Sequence, residues 1–236
     1  MRFHKRDEFD RFADEYEALH AGNIGASGEA PSYFAEYKAI DLRRLAVEHG
    51  SLPAGRHAVV LDFGGGVGNC TEFLLREFAG SLVVNVDVSQ RSLRVSRARC
   101  PDASQVVFDG EALPLATSSV DCVLCACVFH HIDAGEHVAK LAELRRVMRP
   151  GALLMIYEHN PVNPLTRRAV NTCPFDANAH LIGARTMRAR FRDAGFRDAK
   201  IRYRVFFPRF ARALRPLERS LYWLPLGAQY LVYARR

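Results

Sequence analysis

The chain has 236 residues, of which 49% are hydrophobic and 25% charged, a composition that is ordinary for a globular protein with a sizeable core. At this length we expect one domain, or one domain with a small cap. The absence of any run of about 18 apolar residues argues against a transmembrane helix. The charged N-terminus lacks the apolar region of a signal peptide.

The distribution of cysteines and of charges limits further which class of protein this is. The six cysteines show no paired spacing, so we expect reduced thiols and a cytoplasmic protein. The net charge is +7, yet residues 185–236 alone carry +11 and residues 1–184 sum to −4. The basic C-terminal part suits an anionic substrate, a membrane surface or nucleic acid, and an arginine-rich solvated surface explains it equally well.

Two helices are predicted before the first strand. Residues 7–20 carry an apolar stripe that includes Tyr16, and residues 32–49 carry Tyr37, with Ser32 as the expected N-cap. Aromatic residues at helical spacing usually belong to a core. The same positions also suit the lining of a ligand pocket, and the pattern alone leaves both interpretations open.

A strand, a glycine turn and a helix are predicted around residues 57–78. A β-branched apolar run at 57–61 indicates a buried strand that ends at Asp62, and a helical pattern begins at Asn69. The turn between them contains Gly64, Gly65, Gly66 and Gly68. Such a turn brings backbone N–H groups close to a ligand. The dinucleotide fingerprint requires a third glycine where Asn69 stands, which disfavours a nicotinamide-dependent dehydrogenase.

Acidic residues follow the next two predicted strands. The strand at 81–86 leads to Asp87, whose carboxylate can accept hydrogen bonds from two ribose hydroxyls, with Val88 placed to pack on adenine. The strand at 104–108 leads to Asp109 and Gly110. Asp109 suits either a contact with a ligand or a structural role in the turn.

Histidines follow two later strands. The strand at 121–128 is followed by His130 and His131, and the strand at 152–157 by His159. Because the carboxyl ends of parallel strands meet at one edge of a sheet, these side chains are expected at the mouth of one site. Histidine suits a general base near neutral pH. A hydrogen-bonded structural histidine is the competing interpretation for each.

The C-terminal third departs from a plain sheet. Residues 158–183 are long, polar and interrupted by proline, as expected of a substrate loop. A helix at 184–194 and a strand at 199–206 precede a twenty-residue amphipathic insert at 207–226, and the last strand is expected at 227–234. The insert suits a substrate lid, a membrane-surface contact or packing on its own domain.

Taken together, these motifs resemble those of a known family. The D-x-G-x-G-x-G stretch that begins at Asp62 resembles motif I of class I S-adenosylmethionine (SAM)-dependent methyltransferases. The run DGEALP from Asp109 resembles the D-A-E-x-L-P stretch of the type 11 group, and FHHI and LRRVMRPGALL resemble its LHH and LRPGG signatures. The resemblance covers residues 57–157.

The resemblance implies an α/β fold. We expect a seven-stranded, doubly wound, Rossmann-like sheet of order 3-2-1-4-5-7-6 with the last strand antiparallel. An N-terminal helical cap would occupy residues 1–50. The methyltransferase core would occupy residues 51–236, with the insert at 207–226 between the last two strands.

SAM, converted to S-adenosylhomocysteine, is the cofactor that the resemblance implies. Because SAM carries a sulfonium and an ammonium group, Asp62 would lie near positive charge. The implied cofactor-binding residues are Asp62, Gly64, Gly66, Gly68, Asp87, Val88, Asp109, Gly110 and Ala126, with Tyr16 and Tyr37 from the cap.

The expected function is methyl transfer to a small molecule, on oxygen, nitrogen or carbon. For an oxygen or carbon acceptor, His159 is the first candidate base, followed by His131 and His130. One alternative is a lipid-linked or glycan acceptor handled by a protein peripheral to the membrane, and another is a non-catalytic SAM-binding regulator. A nucleic-acid acceptor is disfavoured because no N-P-P-[YF] motif or RNA-binding module is present. No histidine or acid cluster has clear ligand spacing, so a metal-independent site is expected.

Overall fold

The computed structural model describes Asp10, Gly22, residues 27–176 and residues 178–236, without the side chain of Phe175. Apart from Asp10, the predicted helix at 7–20 lies outside the described residues, and so does Tyr16. The role expected for Tyr16 therefore stays a prediction.

The described residues form alternating strands and helices. The strands are β1 Val59–Phe63, β2 Leu82–Asp87, β3 Ser104–Val107, β4 Val120–Ala126, β5 Met148–His159, β6 Lys200–Arg204 and β7 Gln229–Arg235. The α-helices are α1 Pro31–Glu48, α2 Asn69–Glu77, α3 Gln90–Arg99, α4 His137–Val147, α5 Pro164–Thr172, α6 Ala184–Asp193 and α7 Glu218–Leu221. Short 3₁₀ segments occupy Phe129–His131, Ala134–Glu136, Pro174–Asp176 and Arg209–Leu217.

The strands form a seven-stranded sheet of order β3-β2-β1-β4-β5-β7-β6. The first five strands are parallel, and β7 runs antiparallel to both β5 and β6. The predicted topology is confirmed, including the insert between the last two strands. The carboxyl ends of β1, β2, β4 and β5 consequently meet at one edge of the sheet.

Alternate residues of each central strand face opposite sides of the sheet. On β1 and β4, Val60 and Leu124 belong to a core formed with α1 and α2, whereas Leu61 and Val123 belong to a core formed with α4 and α6. Burial on both faces explains why these strands have continuous apolar sequences.

Several local predictions need correction. Ser32 is not the N-cap of α1: Ala30 occupies that position without a side-chain hydrogen bond, because Pro31 starts the helix one residue earlier. The strand β5 begins at Met148 rather than at residue 152, because its first residue pairs with Val120 ahead of an irregularity in the β4 register. Ser89 is the N-cap of α3 and accepts a hydrogen bond from the backbone N–H of Ser92.

The segment at 158–183 is not a continuous loop. It contains α5, whose N-cap Asn163 accepts hydrogen bonds from the backbone N–H groups of Leu165 and Thr166 at 3.0 Å each. The asparagine side chain also donates to the carbonyl of Leu226 at 2.8 Å. The sequence analysis did not predict this helix because the segment is polar and contains proline. Pro164 stands at the first helical position, where proline favours a helix rather than breaking it.

A buried charge network fixes α1 on the sheet. Asp41 is 3% exposed and accepts a hydrogen bond from the Tyr157 hydroxyl at 2.5 Å. Its carboxylate also pairs with Arg204 at 2.9 Å and with Arg44 at 3.0 Å. One carboxylate thus connects α1 with β5 and β6.

Among the described residues, no helix combines the length and the apolar character needed to cross a bilayer.

We expect Asp41→Ala to lower the free energy of unfolding by about 2–4 kcal/mol, because it removes the nearer of the two carboxylate partners of the half-buried Arg204 cation and the acceptor of the buried Tyr157 hydroxyl; Glu218, at 3.5 Å from Arg204, remains. Thermal and denaturant unfolding of the purified variant measure the change. The matched control is Asp193→Ala, which removes a carboxylate paired with Arg192 on the surface and should shift stability by less than about 1 kcal/mol. Equal losses in both variants would show that the network does not anchor α1.

Candidate active site

The glycine turn lies between β1 and α2 and is shaped by close contacts. A Cβ added to Gly65 would lie 2.5 Å from Asn85 Oδ1 and 2.6 Å from Asp62 Oδ2. Gly68 has φ +86° and precedes α2, and a Cβ there would lie 2.5 Å from Ser96 Oγ. Larger residues would therefore push the turn away from the sheet. Gly66, by contrast, has open space beside it, with Asp87 Oδ2 as the nearest atom at 3.8 Å.

Asp62 is the penultimate residue of β1, and its carboxylate is buried. It is 1% exposed, and Thr71 Oγ1 donates a hydrogen bond to its Oδ2 atom at 2.7 Å. Its Oδ1 atom has no hydrogen-bond partner among the described residues. Burial raises the pKa of Asp62 to about 7, and the bond from Thr71 offsets this only in part. The site therefore holds a carboxylate whose charge is poorly compensated by the protein.

Asp87 ends β2 beside the same turn. Its Oδ2 atom accepts the backbone N–H of Gly66 at 3.0 Å, and its Oδ1 atom accepts that of Ser89 at 2.8 Å. Burial raises the pKa of Asp87 to about 6 despite these bonds. The two acids expected from the sequence are thus brought together around the glycine turn.

The predicted adenine-binding residues lie beside Asp87. A Cβ on Gly110 would lie 3.6 Å from Val88 Cγ1, so the two residues face each other. Asp109 is exposed, and its Oδ1 atom accepts the backbone N–H groups of Glu111 at 2.8 Å and Ala112 at 3.3 Å. Asp109 therefore stabilises its own turn, and a contact with adenine stays a prediction.

Two other predicted cofactor residues occupy different surroundings. Ala126 is half-buried and ends β4, next to β1 in the sheet. Tyr37 is 8% exposed, and its hydroxyl donates a hydrogen bond to Gln229. Its ring packs edge-on against Tyr157, with ring centroids 5.6 Å apart. The structure thus places Tyr37 in the core between α1 and the sheet, and a role in the cofactor pocket stays a prediction.

The three predicted histidines cluster at the ends of β4 and β5. The rings of His130 and His131 have centroids 4.2 Å apart, and those of His130 and His159 lie 5.3 Å apart. His130 Nδ1 contacts Glu158 Oε2 at 2.5 Å, and Glu158 Oε1 accepts the backbone N–H of Phe129 at 2.8 Å. The buried Glu158 therefore orients the segment that carries the histidine pair.

Asp176 completes this cluster from the segment after α5. Its Oδ1 atom lies 3.5 Å from His130 Nε2 and 3.4 Å from His131 Nε2. The sequence did not single out Asp176 or Glu158, although both have acidic side chains near the expected substrate segment. Only their approach to the histidines distinguishes them from surface acids.

The charges of this cluster differ between its histidines. Burial alone would lower the pKa of His130, but Glu158 and Asp176 outweigh it and raise that pKa to about 10. Burial, together with the charge of His130, lowers the pKa of His159 to about 4. Burial also lowers the pKa of His131. Near neutral pH, His130 is therefore a cation between two carboxylates, while His159 and His131 are neutral.

Lys38 is a further residue of the site that sequence reasoning missed. It is 6% exposed on α1, and its charge lowers the pKa of both Asp62 and His159. Its Nζ atom lies 5.7 Å from the ring centroids of Tyr37 and Tyr157. The available signal was the lysine on the otherwise apolar stripe of the predicted helix.

A separate cavity of about 560 Å³ lies elsewhere, lined by residues that include Arg145, Arg197 and Arg235. The C-terminal residues of β7 line it, whereas His159 at the carboxyl end of β5 pairs with Gln229 at the start of β7. The cavity therefore lies at the opposite edge of the sheet from the histidine cluster. None of the predicted site residues lines this cavity.

Comparison with known proteins identifies relatives of this arrangement. Residues 61–156 match a family model described as a methyltransferase domain of type 11. A ubiquinone/menaquinone biosynthesis C-methyltransferase from Hahella chejuensis is 32% identical over 143 residues, covering 57% of this chain and 56% of the relative. A trans-aconitate 2-methyltransferase from Azoarcus sp. is 31% identical over 136 residues, covering 58% and 53%. The chain spans about half the length of these curated relatives.

A solved structure extends the likeness to the whole fold. A SAM-dependent methyltransferase from Thermotoga maritima, described as a possible histamine N-methyltransferase, superimposes with a TM-score of 0.67 at 19% identity. The match covers 98% of this chain and 99% of that one. Residues 61–156, which contain the glycine turn and the histidine pair, are therefore similar to the type 11 methyltransferase domain, and the likeness at 19% identity shows a shared fold over nearly the whole chain.

Proposed function

We propose that this protein transfers a methyl group from SAM to a small-molecule acceptor. The observation that carries the proposal is the pair of buried carboxylates, Asp62 and Asp87, at the ends of adjacent strands around the glycine turn. The names of the two curated relatives, one for quinone biosynthesis and one for trans-aconitate, support a small-molecule acceptor.

The residues around the turn fit the charges of SAM. The unpartnered Oδ1 atom of Asp62 suits a cationic ligand, since a nearby positive charge would offset the burial of the carboxylate. In the proposed complex Asp87 accepts the ribose hydroxyls, and Val88 beside it packs on the adenine ring. Lys38 supplies a buried cation for the carboxylate of the methionine part.

When bound, SAM would supply an electrophilic methyl carbon: the acceptor bonds to that carbon in line as its bond to sulfur breaks, S-adenosylhomocysteine leaves, and the proton of the acceptor passes to a base or to solvent. The protein's own contribution is mainly to hold the acceptor in the reacting orientation. For an oxygen or carbon acceptor, His159 is the preferred base because it is neutral near pH 7 and lies at the end of β5. His131 is the second candidate. His130 is the third, because a cation between two carboxylates has no free lone pair to accept a proton.

We expect Asp87→Ala to weaken the binding of S-adenosylhomocysteine at least 100-fold, because the substitution removes the acceptor for the ribose hydroxyls. Calorimetric titration of the product into wild type and variant measures the change. The control is Asp102→Ala, which removes the same charge from an exposed residue beyond α3. Wild type that fails to bind the product would overturn the proposed cofactor.

The same titration, repeated at several pH values, tests the protonation of Asp87. Asp87 must be ionised to accept two hydrogen bonds, and burial raises its pKa to about 6. Protons therefore compete with the ligand below that value, and the wild-type affinity should fall by up to about tenfold per pH unit below pH 6. Affinity that rises on acidification would contradict this assignment.

We expect His159→Ala to lower kcat by about 10²–10⁴ while the affinity for S-adenosylhomocysteine stays unchanged, because the residue acts on the acceptor. Transfer of a labelled methyl group to a panel of phenols, carboxylic acids and acidic-carbon compounds measures the rate. His180→Ala, an exposed histidine nearby, serves as the control. Unchanged kcat in the His159 variant would exclude it as the base.

A membrane-proximal acceptor is the second candidate function, and the insert at 207–226 favours it. In the described structure Phe210 is 91% exposed and Trp223 is 73% exposed, and Leu165 beside the insert is 68% exposed. The insert also carries Arg209, Arg212, Arg215 and Arg219. Apolar side chains flanked by arginines suit the surface of an anionic membrane.

Flotation with anionic liposomes tests this second candidate. Wild type is expected to float with the vesicles, and the double variant Phe210→Asp and Leu214→Asp to remain behind, since a buried contact with lipid would no longer be favourable. Neutral vesicles of the same size are the control, because they remove the attraction for the arginines. Wild type that stays in solution with both vesicle types would exclude the membrane-proximal acceptor.

A further inference from the structure

The strongest unassigned feature is the set formed by His130, His131 and Asp176. One ligand-type atom from each of these three residues lies within 4.8 Å of the others. His130 and Asp176 are buried, whereas the side chain of His131 is 15% exposed. Solvent therefore reaches the set only at His131, since the other two side chains are buried.

The distances in this set are poor for hydrogen bonds. Asp176 Oδ1 lies 3.5 Å from His130 Nε2 and 3.4 Å from His131 Nε2, whereas N–H···O bonds usually measure about 2.7–3.2 Å. His130 Nε2 has no hydrogen-bond partner within the described part of the chain, although its side chain has no exposed surface. A buried ring nitrogen is thus aimed at a carboxylate that it does not reach.

The same distances match the edges of a metal coordination tetrahedron. Zinc bonds of about 2.0–2.2 Å to histidine nitrogen and carboxylate oxygen place two tetrahedral ligands about 3.4 Å apart. Octahedral ligands at these bond lengths would lie only about 3.0 Å apart. The two distances from Asp176 to the histidines are therefore those expected of four-coordinate Zn²⁺.

Glu158 has the position of a supporting group behind this set. Its Oε2 atom contacts His130 Nδ1 at 2.5 Å, so the opposite nitrogen, Nε2, is directed at Asp176 and His131. A carboxylate behind a ligating histidine in this way fixes the ring orientation and raises the basicity of the ligand. Glu158 is in turn held by the backbone N–H of Phe129 at 2.8 Å.

We propose that His130, His131 and Asp176 bind a divalent transition-metal ion, Zn²⁺, whose fourth coordination position is open. The metal ion takes the place of the proton that His130 Nε2 holds in the metal-free protein, so metal binding releases that proton. The site touches the cofactor region, because Val128 of the same segment packs on Gly64, where an added Cβ would lie 2.6 Å from Val128 Cγ2. If the proposed methyl transfer holds, an oxygen of the acceptor takes the open position.

Metal titration of the full-length protein tests the site independently of activity. Zn²⁺ binding by calorimetry, and Co²⁺ as a spectroscopic probe, are expected to show one equivalent and a ligand-field band of four-coordinate intensity. His131→Ala and Asp176→Asn should each weaken the affinity at least 100-fold, and Glu158→Gln by about 10–100-fold. His180→Ala, a neighbouring histidine outside the set, should leave the affinity unchanged.

Calorimetric binding of S-adenosylhomocysteine shows whether each variant is folded and tests the proposed cofactor separately. Wild type that binds the product but neither metal ion would overturn the metal site and leave methyl transfer standing, with His130 as a protonated bridge between Glu158 and Asp176. Equal loss of metal affinity in the His180 variant would also overturn the assignment, since it would indicate adventitious surface binding.

Discussion

The burial of carboxylates at the ends of parallel strands is the constraint on which the site depends. Asp62, Asp87 and Glu158 are the last or the penultimate residues of β1, β2 and β5, and all three are at most 9% exposed. Each carboxylate loses much of its hydration and needs hydrogen bonds or positive charge in return. Glu158 finds both in Phe129 and His130, so its pKa stays low despite its burial. Asp62 finds too little, and its pKa rises to about 7.

This difference distinguishes two parts of the site: one whose buried carboxylate is compensated by the protein, and one whose buried carboxylate is not. Around Glu158 the protein supplies its own counter-charge, which positions the segment with the histidine pair. Around Asp62 the compensation is left to Thr71 and, at longer range, to Lys38. A positive charge beside the glycine turn would accordingly be favourable, whereas the charges at the histidine end are already balanced within the protein.

The helix α1 connects this site with the C-terminal strands. Asp41 links it to Tyr157 on β5 and Arg204 on β6, and Lys38 on the same helix reaches the carboxylates of the site electrostatically. The insert at 207–226 is anchored near this helix, because Arg215 lies over the ring of Tyr33 at 4.5 Å. Glu218 accepts the backbone N–H of Phe206 at 3.0 Å. The insert is therefore anchored at its base, while some of its apolar side chains, among them Phe210, Trp223 and Leu226, are exposed.

The sequence by itself indicated the glycine turn with its two acids, because these features are local patterns of burial and turn chemistry, and the resemblance of its motifs to a known family implied the strand order. The helix α5 escaped it, since its start at Asn163 and Pro164 reads equally as a loop. Tertiary structure alone decided that Asp176 meets the histidine pair and that Asp41 and Lys38 are buried. Such contacts join residues far apart in the chain, and no local periodicity records them. The charge states of His130 and His159 likewise depend on burial and on neighbours that only the folded chain brings together.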